Sequence, residues 1–441
     1  MSTGMKTFVT LTLLLALAFF LRWQYVLNSK FDKPIRADAR EYVRIAGNLA
    51  TSHVFSMTAN PADSDQPTRP PGYPMFLAVI FALTNSFRSF HWTTIIIQCL
   101  LGAATVVITY VLASYALPRP WATITALLAA FSPHLIVTSA FLLTECLYTF
   151  LLLAGLTLLV KACRDDTLWV FWFAGFTLSL AIFVRPALAI FPLLCAATIY
   201  FHHRQTGKKR KTTVTIATFL LACFLIPAGW SLWRSLPQNA RPSGRSLLKV
   251  VFVTGTYPNI TYRDIPGMPN MEDPNFEKLV DSSYPEIAAK IATDIAREPA
   301  RYLRWWLLGK PAMFWSGKEI FIEENFDGIN FYSMIYTWFD NNSFMGGIRW
   351  LMLKLQPVLV ILAALSIPFF IRGHDADLPE SSAITTLLCL VLLGYFTLMF
   401  MVLAPFTRYA MPLGPELFLL AVLAVRNLSI MGKTVFSGMK G

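Results

Sequence analysis

Five side chains in this sequence combine reactive chemistry with an unusual address. Asp38, Arg69, Glu145, Arg185 and Arg408 each stand at the edge of a long apolar segment. Asp38 lies in RADAREYVRIAGNLA, just after the first apolar run, and Glu145 opens ECLYTFLLLAGL with no other charged residue between Arg119 and Lys161. Arg69 precedes paired prolines in TRPPGYP, Arg185 sits in FVRPALAIFP, and Arg408 is followed by Tyr409 in PFTRYAMPLGP. A carboxylate at the rim of an apolar surface can take the proton of an incoming hydroxyl, because partial desolvation raises its basicity. A guanidinium fixed at lipid-headgroup depth suits a phosphate, through paired charge-assisted hydrogen bonds. An acid placed so near hydrocarbon is costly and marks a functional site by default.

Each of these residues also has a plainer reading. On a helix over about 38–50, Asp38, Tyr42, Ile45 and Leu49 share one face while Arg40 and Arg44 point elsewhere, so the acid tops a buried stripe. The spacing of Asp38 and Glu41 equally fits a capping box that needs no chemistry. Glu145 after Thr144 fits a first-turn glutamate favoured by the helix dipole. Arg69 could snorkel to a lipid headgroup with no further role.

The elements that must position these groups are membrane spans. A chain of 441 residues, 55% hydrophobic and 14% charged, carries more apolar surface than one water-soluble core could hide. Its apolar runs are continuous and helix-length, unlike the alternating strands of an outer-membrane barrel, so the expected class is an all-α, polytopic helical membrane protein. Spans are expected at 8–27, 92–115, 120–140, 142–162, 168–184, 186–201, 213–236, 350–371, 382–404 and 409–426. Ten spans place both termini on one side. Basic loops such as HHRQTGKKRKT make that side cytoplasmic, and the first loop and the long 237–349 segment then face outward.

That topology requires 73–86 to be a short interfacial helix, since a span there would invert every later loop. Segment 301–316, with Trp305, Trp306, Phe314 and Trp315 around Pro311, is expected as an interfacial aromatic-belt helix. The organisation is then 1–236, an N-terminal membrane module with the reactive first outward loop at 28–91; 237–349, an outward module with one helix near 284–297; and 350–441, C-terminal membrane helices and a cytoplasmic tail. The first apolar run lacks a cleavage site and is expected to stay as an anchor. The net charge of +12 is spread over short loops, which argues against nucleic acid. Cysteines 99, 146, 163, 195, 223 and 389 fall within or at the ends of apolar segments without metal-ligand spacing.

Taken in order, DAREY in the first outward loop, RPPGYPMFLA at its end, TECLY after an SPH kink, and RYAMPLGP near the C-terminus resemble the GT-C superfamily of lipid-linked-sugar glycosyltransferases. The likeness is to the branch of bacterial protein O-mannosyltransferase-like and lipid A aminoarabinose transferase-like enzymes, over most of residues 1–200 and the last ~40. It implies a GT-C type fold and transfer of a sugar from a polyprenyl-phosphate donor, with inversion, to a hydroxyl of a glycan, lipid or protein on the outer side of the cell inner membrane. It makes Asp38 the catalytic acid of the first outward loop and Glu145 the second acid. Arg69 stands where the aminoarabinose branch has a lysine against the donor phosphate. Tyr73, Arg185, Arg408 and Tyr409 complete the implied substrate-binding set. Asp38 is followed by Ala39 where the protein O-mannosyl branch has adjacent acids. No cofactor is required by this chemistry, and a divalent ion held by Asp38 or Glu145 is left open. The alternative is a lipid or solute transporter, against which stand the lack of a repeat and of mid-span charge.

Overall fold

A computed structural model describes residues 3–31, 35–58, 67, 69–207, 212–236, 246–258, 273–317, 334–372 and 377–438. The basic cluster at 208–211 and parts of the expected outward module (237–245, 259–272 and 318–333) lie outside the described residues. Among the described residues eight helices are long and apolar enough to cross a bilayer. They include α1 (Thr3–Asn28), which leads into α2 (Ala37–Ser52) and α3 (Gly72–Ala82), and then α4 (Phe87–Ser114). At 11 residues α3 is far too short to span, in line with the interfacial expectation.

The expected span at 120–140 is corrected. Helix α5 covers only Arg119–Phe131, and the chain breaks at Ser132 before the single turn of α6 (Pro133–Val137). The crossing is completed by buried irregular backbone at 138–144. Such backbone survives at membrane depth only where protein satisfies its polar groups. Gln98 of α4 does part of this, its amide donating to the carbonyls of Ser139 at 3.1 Å and Phe141 at 2.9 Å. Next come α7 (Glu145–Asp165), α8 (Leu168–Val184), α9 (Phe191–Gln205) and α10 (Thr212–Ser235). With 17 residues, α8 is at the lower limit for a span.

Several buried charges of this bundle, among them Arg22, Lys310 and Glu416, have no ion-pair partner among the described residues. Arg22 of α1 is fully buried; its Nη1 donates to the Ala18 carbonyl, while Nε and Nη2 meet no acceptor among the described residues. It fits because Gly102 of α4 has no side chain: a Cβ there would come within 2.5 Å of Arg22 Nε.

The following segment holds α11 (Leu247–Thr256), α12 (Phe276–Asp281) and α13 (Tyr284–Arg297) around a small core of Val253, Phe276, Leu279, Val280 and Ile287. Helix α13 matches the expected 284–297 and starts with a capping box, Ser283 and Glu286 each bonding the other's backbone N–H. The expected aromatic belt is built differently. Helix α14 (Pro299–Arg304) passes through a π-turn at Trp305–Gly309 into α15 (Lys310–Phe314). Trp305 and Phe314 turn inward and leave Leu303, Leu307 and Leu308 exposed, so the outward face is leucine rather than tryptophan. Gly309 permits this, since a Cβ there would meet the Trp305 ring at 2.4 Å.

Strand β1 (Lys30–Phe31) then pairs antiparallel with β2 (Met334–Tyr336), a small exception to the all-helical expectation. Helices α16 (Trp338–Asn341), α17 (Ser343–Arg372), α18 (Ser382–Val402) and α19 (Gly414–Gly438) complete the chain. Most buried side chains, from Leu14 to Leu423, form one continuous core. All six cysteines are buried and unbridged.

Candidate functional site

Asp38 enters helix α2 through strained backbone. Ala37, the first helical residue, has φ 43°, a left-handed value that an alanine adopts at a cost of roughly 1–2 kcal/mol. The capping reading of Asp38 and Glu41 does not hold, because Arg36 is the N-cap and no side chain caps it. Both carboxylates instead reach arginines. Arg69 Nη2 donates to Asp38 Oδ1 at 2.6 Å, and its Nε donates to Glu41 Oε2 at 2.6 Å.

The proline turn holding Arg69 is pinned to the far end of another helix. A Cβ on Gly72 would lie 2.7 Å from the Phe183 carbonyl and the Val184 nitrogen, so the start of α3 presses on the backbone at the end of α8. The next residue there is Arg185. Its Nε donates to Thr144 Oγ1 at 2.8 Å, and its Nη2 to Glu145 Oε1. Arg408, on a 3-10 turn between α18 and α19, closes the set, donating to Glu145 Oε1 at 3.1 Å and to Asp38 Oδ2 at 3.0 Å.

The result is one alternating chain, Glu41–Arg69–Asp38–Arg408–Glu145–Arg185, whose formal charges cancel. Asp38, Arg69, Glu145, Arg185 and Arg408, spread over some 370 positions, meet at one point. Their convergence also orients the bundle: the ends of α1, α8 and α18 and the starts of α7 and α19 face the same side.

Aromatic rings line the cations. Arg69 lies 5.6 Å from the centre of the Tyr42 ring, and Arg185 sits between Tyr148 at 5.4 Å and Tyr409 at 5.6 Å. Tyr409 stacks on Phe400 with 5.0 Å between centres. Tyr73 does not reach the charged cluster. It is fully buried, packs edge-on against Tyr42, and gives its hydroxyl proton to Gln98 at 2.7 Å. It therefore braces α2 and α4 rather than presenting itself to a ligand. Glu41 was missed as a site residue, although its spacing from Asp38 was visible, because that spacing had been assigned to a cap.

The electrostatics of Asp38 correct another expectation. Burial pushes its carboxyl upward, but Arg408 and Arg69 more than offset this and hold it below the ordinary carboxylate range. Arg69 is itself raised by Glu41 and Asp38 despite burial. Asp38 and Glu145 already face three guanidiniums, and no group of three His, Cys, Asp or Glu side chains able to hold a metal occurs among the described residues. A separate cavity of about 20 Å³, lined in part by Ser132, His134, Gln356 and Thr407, has room for a water and includes neither carboxylate.

Comparison with known proteins follows the same lines. The family model for dolichyl-phosphate-mannose-protein mannosyltransferase matches residues 68–230. No curated protein matches the sequence. Among solved structures, the archaeal oligosaccharyltransferase AglB from Archaeoglobus fulgidus, in complex with an inhibitory peptide and a dolichol-phosphate, superposes on 100% of this chain and 52% of its own, with 14% identity and a TM-score of 0.54. The Archaeoglobus fulgidus oligosaccharyltransferase tethered with an acceptor peptide covers 96% of this chain and 50% of its own at 13% identity and a TM-score of 0.53. The same enzyme in complex with zinc and sulfate covers 97% and 49% at 14% identity and a TM-score of 0.50. The chain thus spans about half the length of these archaeal oligosaccharyltransferase structures. The fold is that of a multi-pass GT-C membrane protein, as the sequence resemblance implied.

Proposed function

We propose, starting from a GT-C fold with its acids and arginines gathered at one membrane face, that this chain is a glycosyltransferase using a polyprenyl-phosphate sugar. The observation that carries the reading is the direct bonding of Asp38 to both Arg69 and Arg408. It supports the reading because a carboxylate able to take a proton then stands beside two guanidiniums able to bind a phosphate. The matched family model and the dolichol-phosphate named with AglB support a lipid-phosphate donor. The acceptor is a hydroxyl on a glycan, lipid or protein, the acceptor peptide of the archaeal enzyme being one precedent. The transporter alternative gains no support from the fold.

In this reaction the acceptor oxygen attacks the anomeric carbon from the face opposite the phosphate, and its proton passes to Asp38. The new glycosidic C–O bond forms as the anomeric C–O bond to phosphate breaks, the electron pair leaving with the lipid phosphate. Configuration inverts. Negative charge thus moves from Asp38 to the departing phosphate, for which Arg69 and Arg408 supply the counter-charge. Arg185 holds Glu145, and Glu145 in turn orients Arg408.

The site then faces the outside of the cell inner membrane, with both termini cytoplasmic. Residues 1–236 and 350–441 form the membrane part, and the outward module at 237–349 lies over it. The test is transfer from a polyprenyl-phosphate sugar by the protein in nanodiscs, with mass spectrometry of envelope glycans in cells with and without it. Asp38→Asn should lower turnover by roughly 10²–10⁴, the usual worth of a general base, while folding normally. Full turnover by that variant overturns the assignment.

A further inference from the structure

We propose that the carboxylates latch the phosphate-binding guanidiniums shut, and that the donor phosphate opens the latch, so that Asp38 is uncovered for an acceptor only once a donor is seated. This rests on the transferase reading above and adds an order to it.

In the structure every guanidinium of the cluster is engaged. Arg69 is shared between Glu41 and Asp38, Arg408 between Asp38 and Glu145, and Arg185 between Glu145 and Thr144. Each oxygen of Asp38 accepts from a different arginine. In each of the three arginines the Nε–Nη2 edge is taken by protein oxygens, so a phosphate can use that edge only by displacing one of them. An acceptor hydroxyl finds both oxygens of Asp38 already accepting from arginines. Exchange of phosphate oxygens for carboxylate oxygens on the same arginines meets both demands.

The chain of ion pairs has a fixed end and a loose end. Glu145 is 0% exposed and Arg185 12%, which makes that pair the post. Asp38 and Glu41 are 23% and 37% exposed, so the Arg69 end is the one a lipid headgroup can reach and part. Water there also weakens the resident pairs, whereas the buried end is screened much less. Glu41 contributes by holding Arg69 Nε, and so belongs to the latch although it is one helical turn from the reacting atoms.

The test measures binding rather than turnover. Undecaprenyl phosphate is titrated against wild-type protein and variants in nanodiscs, with undecaprenol as the probe lacking phosphate and inorganic phosphate as the probe lacking lipid. If carboxylates compete with phosphate, Asp38→Asn binds undecaprenyl phosphate about tenfold tighter than wild type, although it does not turn over. Glu41→Gln binds about threefold tighter and Arg69→Ala about tenfold weaker, with undecaprenol unchanged throughout. Affinity of Asp38→Asn equal to or below wild type, in protein that elutes and melts as wild type does, overturns the latch. Should Asp38→Asn fail to fold, Glu41→Gln decides, and unchanged affinity there overturns it. Tightening without any sugar transfer by the wild type would keep the latch and remove the transferase reading. Transfer without tightening would do the reverse.

Discussion

At the scale of single residues, the two arginines on Asp38 should not be equivalent to lysines. Arg69 uses two different nitrogens on two carboxylates, a fork that an ammonium cannot reproduce. Arg69→Lys is therefore expected to lose about tenfold in kcat/KM, and Arg69→Ala or Arg408→Ala roughly 10²–10³, by steady-state assay with a lipid-phosphate sugar. The ion pairs of Asp38 also set a pH dependence. Its carboxyl is lowered in the folded state, so the stability it contributes is complete above the unfolded value near ~3.9 and disappears as pH falls through the folded value. Thermal unfolding of the wild type should weaken below about pH 4, and Asp38→Asn should show a shallower acid-side loss. Of these residues the sequence made Asp38, Glu145 and the three arginines readable, because a charge beside hydrocarbon demands an explanation. It did not reveal that Asp38 is covered, since pairing across some 370 positions leaves no trace in local spacing. Nor did it separate Tyr73, a buried brace, from Tyr409, which stands beside the cations.

At the scale of elements, the placing of Arg69 depends on a glycine. Because Gly72 touches the backbone of residues 183–184, Gly72→Ala must push α3 away from the end of α8. Overpacking of this kind typically costs about 1–3 kcal/mol, and here it also separates the Arg69 turn from Arg185. A lowered thermal midpoint together with weaker undecaprenyl phosphate binding is the expected outcome; wild-type values for both would show that α3 tolerates the shift. The RPPGYP motif had pointed to a rigid turn, but which surface the glycine meets is a tertiary fact. The break of the expected span at 120–140 was half legible. Pro133 signalled a kink, yet hydropathy alone joined the halves, because residues 135–143 are nearly all apolar even where they are not helical. The reversed aromatic belt has a similar cause: the sequence showed five aromatics in 301–316, while the π-turn and Gly309 decide which way they point.

For the whole molecule, the helical, multi-pass class was the most legible level, since long continuous apolar runs are a property of the sequence itself. The meeting of the start of α2, the start of α7, the end of α8 and the turn between α18 and α19 at one charged cluster would be impossible had α3 been a span. The part left dark was how distant helices depend on each other, and Arg22 shows it best. A guanidinium in the last third of an apolar helix resists partition into lipid, by at most roughly 2.5–3.5 kcal/mol, the cost at a helix centre. Its shelter is the notch that Gly102 leaves in α4, synthesised some eighty residues later. Stable insertion of α1 is thereby expected to depend on its packing against α4. Gly102→Val should then lower the fraction of chains with a properly inserted N-terminus, read by cysteine accessibility across the membrane, before any enzymatic defect is measured.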